Sequence, residues 1–385
     1  MTELDNLITV KRNPMNPVTR QAFIRERHRT RQIHVGSVPV GGDAPITVQS
    51  MTNTPTQDAA ATVAQIRRLA AAGCEIVRVA VPDEDAAAAI AQIVPQIGIP
   101  LIADIHFDHR LAIAAAQNGA AALRINPGNI GGARKVEAVV ACARDLGLPI
   151  RIGVNAGSLE KALLRQYGGA TAAAMVESAL RHVALLESRQ FENIKISLKA
   201  SDVARTVEAY RLLAARSHYP LHVGVTEAGS LFTGVVKSAL GIGMLLAEGI
   251  GDTIRVSLTR DPVEEVRVGY EILKALGIRQ RGPEIVACPT CGRCGIDLFS
   301  VVEAVEKALS THTAPLKLAI MGCVVNGPGE AREADIGVAG GKDHGILFKK
   351  GKLVRKIPQE RLVEELLAEV EDWERAHRMD KTEKK

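Results

Sequence analysis

The sequence predicts an α/β protein in which an N-terminal (β/α)8 barrel of the TIM type is followed by a small α+β domain. Between about residues 45 and 279, eight short runs of β-branched and apolar residues alternate with Ala- and Leu-rich segments of helical spacing. Several helical segments end in glycine, the residue that commonly terminates a helix. Eight strand–helix units over roughly 235 residues match such a barrel in number and in length.

The predicted strands are short runs dominated by Ile, Val and Leu. They span residues 45–51, 76–81, 100–106, 122–126, 149–155, 194–199, 220–225 and 253–258. An open, doubly wound sheet is the alternative arrangement of such units. The barrel is favoured because no strand-to-helix turn carries a GxGxxG motif, and the segment GIGMLLAEG lacks the third glycine.

The alternation ends after the segment RQRGPE (279–284), where a different order of elements begins. We predict a short strand and a cysteine-rich loop, then a helix, a second strand and a second cysteine loop. Three β-like pieces and a closing helix complete the unit. The predicted segments are a flexible N-terminal arm (1–31), a substrate-binding barrel (32–281), the small α+β domain (282–375) and a disordered tail (376–385).

Composition restricts the class of protein. Of the 385 residues, 46% are hydrophobic, 24% charged and 3% aromatic, which is typical of a soluble globular protein. We expect a cytoplasmic location, because the apolar runs are too short to span a bilayer and the N-terminal region lacks the apolar core of a secretory signal. The net charge of +5 is mild, and with so few aromatic residues it does not predict binding to nucleic acid.

Basic residues interrupt the predicted strands. Arg78, Arg124, Arg151 and Arg255 each lie among apolar residues, and Lys199 ends another strand. Barrel strands are covered on both faces, so a guanidinium there is costly unless it is paired or reaches the mouth of the barrel. One such arginine is explained by a structural ion pair. Four on different strands indicate a shared polyanionic ligand, and a diphosphate fits best because arginine binds phosphate oxygens bidentately.

Further polar residues stand at or just beyond the carboxyl ends of the strands. Active sites of these barrels lie at that face. Any one of these residues alone is more simply explained as a hydrogen-bonded structural residue, so the argument depends on the whole set. They are Asn53, Thr54, Asp104, His106, Asn126, Asn155, Ser197, Thr226 and Glu227.

Four of the six cysteines fall in two short segments of the second domain. Cys288, Cys291 and Cys294 form a CxxCxxC run, and Cys323 follows after 28 residues. A structural zinc site usually draws on two CxxC knuckles, whereas an iron–sulfur cluster accepts one CxxC and a distant cysteine. Spacing alone favours a cluster, with zinc and a thioredoxin-type redox pair as open alternatives.

The other two cysteines, Cys74 and Cys142, lie in or beside apolar helical segments. We predict that they are inert core thiols. Cysteines of a chain of this size without a secretory signal favour metal binding or catalysis over a disulfide framework.

Eight longer motifs occur in a fixed order along the chain. They are PITVQSMTNTPTQD, ADIHFD, LRINPGNIG, RIGVNAGSL, SLKASD, VTEAG, CPTCGR and MGCVVNGPGEAREADIG. Together they closely resemble the family of 4-hydroxy-3-methylbut-2-enyl diphosphate synthases of the methylerythritol phosphate route to isoprenoids. The resemblance covers roughly residues 30 to 370 and fits the compact bacterial form, without an inserted domain.

The resemblance implies a reductive dehydroxylation and ring opening of 2-C-methyl-D-erythritol 2,4-cyclodiphosphate to the linear 4-hydroxy-3-methylbut-2-enyl diphosphate. Two electrons would reach the substrate through a 4Fe-4S cluster, so the enzyme would be an iron–sulfur oxidoreductase. Reduced flavodoxin or ferredoxin would supply the electrons. The family also implies a homodimer in which the barrel of one chain faces the cluster domain of the other, without a nucleic acid or membrane partner.

The resemblance assigns the cluster ligands by motif. Cys288, Cys291 and Cys323 match the three thiolate ligands, and Glu330 matches the fourth ligand. An oxygen ligand can leave and admit a substrate oxygen to the unique iron, whereas a fourth thiolate would close the cluster. Cys294 departs from the family pattern, which more usually has a non-ligand residue such as Thr there. It keeps a four-cysteine cluster as an alternative.

The resemblance also distributes roles among the barrel residues. The residues expected to bind the diphosphate are Arg78, Arg124, Arg151, Asn155 and Lys199, and the strand pattern adds Arg255. The candidate catalytic residues, which would orient hydroxyls or supply protons, are Glu227, Asp104 and His106, together with the ligand Glu330.

Two other functions use the same features. The first is a barrel transferase resembling dihydropteroate synthase, with a zinc-stabilised C-terminal domain. The second is a non-enzymatic binding module that uses the arginine-rich arm and a zinc knuckle. Iron and sulfide in the purified protein would distinguish the synthase from both.

Overall fold

A computed structural model describes residues 24–323, 329, 332–341 and 344–383. The chain divides into two compact units, Met1–Leu276 and Gly277–Lys385, whereas the sequence predicted a boundary after residue 281. The first unit is built on an eight-stranded parallel sheet and the second on a five-stranded mixed sheet, so the predicted fold class is confirmed. Within the described ranges, no helix combines the length and the apolar character needed to cross a membrane.

A short hairpin precedes the barrel and closes one of its ends. Its strands β1 (Ile33–Val35) and β2 (Val38–Val40) pair antiparallel. Val35 and Val40 are fully buried against Ile76 and Ile102, which lie near the beginnings of two barrel strands. The hairpin therefore covers the N-terminal end of the barrel and leaves the opposite end for a site.

The chain before the hairpin is attached to the barrel. Backbone N–H groups of Arg25 and His28 donate to carbonyl groups of Ala247 and Gly249, and the Arg27 guanidinium pairs with Asp252 at 2.8 Å. Residues 24–31 are thus attached to the barrel, whereas the sequence predicted a flexible arm. The polar composition of this segment gives no indication of these hydrogen bonds. Residues 1–23, the rest of that predicted arm, lie outside the described residues.

All eight predicted barrel strands are present. They are β3 (Thr47–Met51), β4 (Ile76–Ala80), β5 (Leu101–Asp104), β6 (Ala122–Ile125), β7 (Ile150–Asn155), β8 (Ile194–Lys199), β9 (His222–Val223) and β10 (Thr253–Ile254). Strands β3 to β8 pair with their sequence neighbours, and β10 lies between β9 and β3. A parallel bridge from Ile196 to Leu221 joins the two remaining edges and nearly closes the barrel.

Helices follow the strands around the outside. They are α1 (Ala59–Ala72), α2 (Glu84–Ile93), α3 (His109–Gln117), α4 (Pro127–Ile130), α5 (Ala133–Asp145), α6 (Lys161–Gln166), α7 (Ala172–Glu187), α8 (Val203–Ala214), α9 (Leu231–Ala247) and α10 (Pro262–Ala275). Five begin at an aspartate whose carboxylate accepts a hydrogen bond from a first-turn N–H. These caps are Asp58, Asp83, Asp108, Asp202 and Asp261.

The second unit is a mixed sheet covered by two helices. Its elements are β11 (Glu284–Ala287), α11 (Leu298–Leu309), β12 (Lys317–Met321), β13 (Ile336–Gly340), β14 (His344–Lys349), β15 (Lys352–Pro358) and α12 (Leu362–Glu383). The first three strands run parallel and the last two add antiparallel. Leu318 and Val338 of the sheet pack with Val305 of α11 and Leu366 of α12 in one core.

Helix α12 continues through most of the segment predicted to be a disordered tail. It ends at Glu383 rather than near residue 375. Glu369 of this helix is buried and pairs with Arg355 at 2.8 Å, and the rings of Trp373 and His377 stack. Few apolar residues follow Trp373, so the sequence offered no periodic pattern to predict this extension.

Candidate functional site

Basic side chains line the interior of the barrel. Every second residue of a strand points to the same face. Strand register aligns Arg124 with Arg151 and Arg151 with Lys195, so three neighbouring strands place a cation at matching positions. Five of these cations are at most 8% exposed, and Arg255 is partly buried. The six are Arg78, Arg124, Arg151, Lys195, Lys199 and Arg255.

Asp104, the last residue of β5, is the carboxylate at the centre of this cluster. Its Oδ1 accepts a hydrogen bond from Nη1 of Arg124 at 3.0 Å, and Nε of Arg78 lies 3.6 Å from its Oδ2. Burial by itself raises the pKa of Asp104, but Arg78 and then the hydrogen bond with His106 outweigh burial. The pKa therefore lies well below its usual range, and Asp104 stays ionised at neutral pH.

Two of the arginines have further partners that fix their direction. Nε and Nη2 of Arg78 point to the sulfur of Met51 at 3.1 and 2.9 Å. Arg255 lies 3.6 Å from Glu265, a buried residue of α10 that also accepts hydrogen bonds from Ser50 and from the N–H of Leu258. Glu265 was not predicted from the sequence, because it reaches the site from a helix rather than from a strand end.

Glycines make room for the cations. A Cβ atom on Gly153 of β7 would lie 2.4 Å from Nε of Arg124, whose Nη2 donates to the carbonyl oxygen of Gly153 at 3.3 Å. A Cβ atom on Gly224, just after β9, would lie 2.3 Å from the carbonyl oxygen of Arg255 and 3.0 Å from Nζ of Lys199. The glycine in RIGVN is therefore required by the packing of a cationic side chain, and the glycine in HVGV mainly by the backbone of Arg255.

The cations in the barrel exceed the carboxylates that pair with them. Among the described residues, Asp104 and Glu265 form the ion pairs with this cluster. Burial, and then repulsion by neighbouring arginines, lowers the pKa of Arg151 and of Lys199 well below the usual values. Buried nitrogens of three arginines (Arg124, Arg151 and Arg255) have no hydrogen-bond partner within the part of the chain that the structure describes. This arrangement favours binding of a multiply charged anion.

The remaining predicted residues lie nearer the mouth. Nη1 of Arg124 donates to Nε2 of His106 at 2.9 Å, and the His106 side chain is 47% exposed. Asn155 is half-buried as the last residue of β7. Glu227 is exposed and has a φ of 51°, the left-handed conformation that is unusual outside glycine. Asp104, His106 and Arg124 are thus in direct contact, whereas Glu227 forms no hydrogen bond or ion pair with these three described residues.

Some of the polar residues at strand ends hold local structure instead. Asn53 forms two hydrogen bonds with Gln65 of α1, and the hydroxyl group of Thr54 forms one with that of Thr62 on the same helix. Asn126 caps α4 through Gly128. Ser197 donates weakly to the carbonyl of Ile152 at 3.5 Å, and the N–H of Thr226 donates to the carbonyl of Ala200. For Asn53, Thr54 and Asn126 the structural explanation is sufficient.

Sequence reasoning missed a deeper set of polar residues. Lys195, His222 and Gln49 are at most 1% exposed inside the barrel. A signal was present in the strand IKISLK, where Lys195 and Lys199 are separated by an even number of residues and so share a face. Lys195 lies one residue after β8 begins, so it is not among the residues at the carboxyl ends of the strands.

The cysteine segments meet at one edge of the second unit. Strands β11 and β12 are parallel neighbours, with Ala287 opposite Ile320, so the loops that follow them start side by side. The N–H of Gly322 points to the sulfur of Cys288 at 3.3 Å, and the N–H of Gly295 donates to the carbonyl of Gly322 at 2.8 Å. The loop carrying the CxxCxxC run is thereby folded onto the residues just before Cys323.

Cys294 is held by the backbone of its own loop, because its thiol donates to the carbonyl of Ile296 at 3.2 Å. Like Cys288, it also packs against the domain core. A Cβ atom on Gly322 would lie 2.4 Å from its sulfur. Cys291 is exposed, whereas Cys288 and Cys323 are half-buried.

The fourth predicted ligand, Glu330, lies outside the described residues. Across the ranges that are described, no three His, Cys, Asp or Glu side chains already stand in a metal-binding arrangement. The donor set still fits an iron–sulfur group: parallel strands bring Cys288 and the Cys323 loop together, and an N–H group faces the Cys288 sulfur, as is common for cluster ligands. Elsewhere, burial raises the pKa of Cys74 to about 12 and also raises that of Cys142, in keeping with inert thiols.

Comparison with protein families covers both units. Residues 30–270 match the GcpE TIM-barrel domain, and residues 284–372 match the GcpE protein C-terminal domain. A 4-hydroxy-3-methylbut-2-en-1-yl diphosphate synthase (flavodoxin) from Geobacter sulfurreducens is 64% identical over 343 residues, which is 89% of this chain and 97% of the relative. The enzyme of the same name from Desulfotalea psychrophila is 61% identical over 90% of this chain and 96% of its own.

Solved structures resemble the barrel more distantly. Dihydropteroate synthase from Stenotrophomonas maltophilia has 15% identity and a TM-score of 0.45, covering 63% of this chain and 98% of its own. A similarity of this level carries no argument about function.

Proposed function

This chain belongs to the GcpE family, and on that basis we propose that it reduces 2-C-methyl-D-erythritol 2,4-cyclodiphosphate to 4-hydroxy-3-methylbut-2-enyl diphosphate. With the acids written in neutral form, two electrons and two protons are consumed, C–O bonds break, and one oxygen leaves as water. The observation that carries the proposal is the excess of buried cations inside the barrel. Their unpartnered N–H groups are suited to the two phosphoryl groups of the substrate.

Substrate binding is assigned to five of the six cations, all except Lys195, together with Asn155. Arg78, Arg124 and Arg151 stand on different strands, so their N–H groups can approach a diphosphate from several sides. Lys199 on β8, the strand next to that of Arg151, and Arg255, just after β10, add further charge. Because these side chains are buried and already oriented, little rearrangement opposes binding, and the low-dielectric interior strengthens each contact.

Proton handling is assigned to residues near the mouth. Asp104 is held ionised by Arg78 and Arg124, so it acts as an acceptor that orients a substrate hydroxyl and the neighbouring His106. His106 is half-exposed and contacts both Asp104 and Arg124, which makes it the better candidate to exchange protons with solvent. Glu227, exposed on the loop after β9, is the second candidate donor.

Cys288, Cys291 and Cys323 are the residues that we propose to hold a 4Fe-4S cluster, with Glu330 as the fourth ligand. Such a cluster supplies single electrons and a Lewis-acidic iron. Gly322 supports the group by directing its N–H to the sulfur of Cys288. Cys294 is a packing residue, because its thiol is bonded to the backbone and its sulfur is enclosed by Gly322.

Turnover of the cyclic diphosphate by anaerobically purified protein tests the function. Dithionite with a mediator supplies electrons, and mass spectrometry detects the linear product. We expect a brown protein with iron and sulfide that forms product, and an Arg151→Met variant that keeps its iron but loses about 100-fold in kcat/KM. Arg181→Met, on the exposed face of α7, is the matched control and should behave as the wild type.

Iron-loaded protein that leaves the cyclic diphosphate unchanged would contradict the proposal. A colourless protein with stoichiometric zinc would favour the transferase alternative. Salt-sensitive binding of nucleic acid without turnover would favour the binding module. Reduced flavodoxin should support product formation in place of dithionite. The same assay with reduced ferredoxin shows which of the two proteins is the donor.

We also propose that the protein is a cytoplasmic homodimer, in which each active site combines the barrel of one chain with the cysteines of the other. It is tested by combining two inactive variants, Arg151→Met and Cys323→Ala, in one dimer through two affinity tags. If the barrel of one chain works with the cysteines of the other, the mixed dimer contains one intact site and recovers about half of the wild-type activity. If both sets come from the same chain, each chain stays defective and the mixed dimer is inactive.

A further inference from the structure

A buried lysine lies deeper along strand β8 than Lys199, one of the cations assigned to the diphosphate. Lys195 is four residues before Lys199 on β8, which places its Cα about 13 Å closer to the N-terminal end of the strand. The residue is 1% exposed, and its Nζ atom has no hydrogen-bond partner among the described residues. An ammonium group without a partner is costly at such a position.

The groups around Lys195 come from every neighbouring part of the barrel. Arg151 on β7 and Arg78 on β4 repel a charge on Nζ, and Asp252 just before β10 attracts it. His222 on β9 is the further titratable group that interacts with Lys195. Asp252 compensates only in part, because Arg27, Thr30 and the N–H of Leu221 already occupy its oxygens.

These surroundings make the charge of Lys195 adjustable. Burial, and then Arg151, lower its pKa to about 7. Near neutral pH the neutral and charged forms are therefore comparable in population when no anion is present. An anion bound among Arg78 and Arg151 would reverse the sign of the local potential and favour the charged form.

We propose that Lys195 is a charge-compensating residue of the diphosphate site, which takes up one proton from solvent when the cyclic diphosphate binds. The inference rests on the proposed function and deepens it. It gives Lys195 a positioning role, because the residue acts through the charge that it adds beside Arg151 and not through contact with the reacting atoms.

The chemistry of the reaction fits such a role. The cyclic diphosphate lacks a phosphate monoester, the group that titrates near pH 6, so its own charge is constant around neutral pH. The linear product has a terminal phosphate that can carry one more negative charge. A lysine that gains a proton as the substrate enters would balance the negative charge of the substrate and then that of the product.

Calorimetric titration of the substrate into oxidised, iron-loaded enzyme measures the proton directly. Without a reductant the substrate binds but is not consumed. Repeating the titration in buffers of different ionisation enthalpy gives the number of protons taken up. We expect wild type to take up about one proton more at pH 8 than at pH 6, because Lys195 is already charged at the lower pH.

Two variants assign the proton to Lys195. Lys195→Arg carries a permanent charge, so it should bind the substrate with uptake at pH 8 that is lower than wild type by about one proton. Lys195→Met cannot be charged and should lose the same proton together with about tenfold in affinity. His222→Asn is the matched control from the neighbouring strand and should keep the wild-type uptake.

Equal uptake by wild type and Lys195→Arg at pH 8, or uptake in wild type that does not change between pH 6 and pH 8, would overturn the inference. The wild-type pH comparison needs no variant, so it decides the question even if a substitution prevents folding. A wild type that neither binds nor reduces the cyclic diphosphate would contradict the proposed function itself. A wild type that binds and reduces it without the pH-dependent proton would contradict only the role of Lys195.

Discussion

The two candidate sites of this molecule are built in different ways. In the barrel, the cations stand on regular parallel strands, and strand register alone aligns Arg124, Arg151 and Lys195. In the second unit, the cysteines stand on loops that follow β11 and β12, and the segment around Glu330 lies outside the described residues. The barrel cations are already paired in part with Asp104 and Glu265, whereas the described cysteines do not form a metal-binding arrangement.

This difference indicates a division of work. Strands hold the barrel cations in place against their mutual repulsion, so the potential for an anion exists before the ligand arrives. Thiolate loops commonly reach their final geometry only when the metal group binds, because ligation contributes directly to folding. Substitutions in the barrel should therefore change affinity and leave iron content unchanged, and substitutions of the cysteines should do the opposite.

The largest effect is expected for Cys323→Ser. Loss of one thiolate should remove the iron and lower turnover by more than about 1,000-fold, since no electron reaches the substrate. Iron and sulfide per chain and product formation are measured on anaerobically prepared protein. Cys142→Ser, on helix α5, is the control and should retain both. Normal iron in Cys323→Ser would remove this residue from the ligand set.

Asp104→Asn should have the next largest effect. It leaves Arg78 and Arg124 without their buried counter-charge, so we expect kcat/KM to fall about 100-fold and the thermal midpoint to decrease, with iron unchanged. Asp43→Asn, at an exposed position before β3, is the matched control. Wild-type kinetics in Asp104→Asn would show that Asp104 neither positions these arginines nor orients the substrate.

Gly153→Ala tests the packing of one cation. The added methyl group would lie 2.4 Å from Nε of Arg124, so the guanidinium must move away from Asp104 and from the carbonyl of residue 153. We expect about a tenfold increase in KM with little change in iron. Gly98→Ala, where a Cβ meets no atom within 4 Å, is the control. An unchanged KM would mean that Arg124 tolerates displacement.

Lys195→Met should stabilise the substrate-free protein. The pKa of Lys195 in the folded state is about 7, below the ordinary lysine value, so the unfolded chain binds more protons as pH falls from about 10 to 7. The cost of the buried ammonium is thus greatest below pH 7 and decreases as pH rises. The variant should unfold a few degrees above wild type at pH 6, and this difference should shrink by pH 9. A constant difference would indicate a packing effect alone.

The smallest effect is expected for Cys294→Ala. Its sulfur packs against Gly322 and the domain core, so the substitution should cost about 1 kcal/mol of stability and leave iron and turnover within about twofold of wild type. Denaturant unfolding and iron content are the measurements. Loss of the cluster in this variant, with Glu330→Ala unaffected, would establish a four-cysteine cluster.

The fold could be predicted from the sequence because eight short runs of β-branched and apolar residues alternate with helical segments, several of which end in glycine. The barrel cations could also be predicted, because residues such as Arg78 and Arg124 interrupt runs of apolar residues. Lys195 and Glu265 were missed because sequence periodicity does not reveal depth along a strand or contacts made from a helix. Asn53 and Asn126, which the sequence analysis named at strand ends, form local hydrogen bonds that suffice to explain them.

At both ends of the described chain, the polar composition predicted a flexible or disordered segment where the structure has an ordered one. Arg25 to Arg31 are polar and irregular, yet backbone hydrogen bonds and the pair of Arg27 with Asp252 attach them to the barrel. Helix α12 extends past Trp373 without an apolar stripe that would predict it. In both places tertiary contacts decide the structure, and such contacts leave no local pattern in the sequence.

The separation of the two sites is tested most directly by titrating the cyclic diphosphate into oxidised Arg151→Met and Cys323→Ala and measuring iron in the same samples. We predict that Arg151→Met keeps its iron and binds about 100-fold more weakly than wild type. Cys323→Ala should lose its iron and bind within about tenfold of wild type. Loss of iron and of binding together in both variants would contradict the assignment of anion binding to the barrel and of the cluster to the cysteine loops.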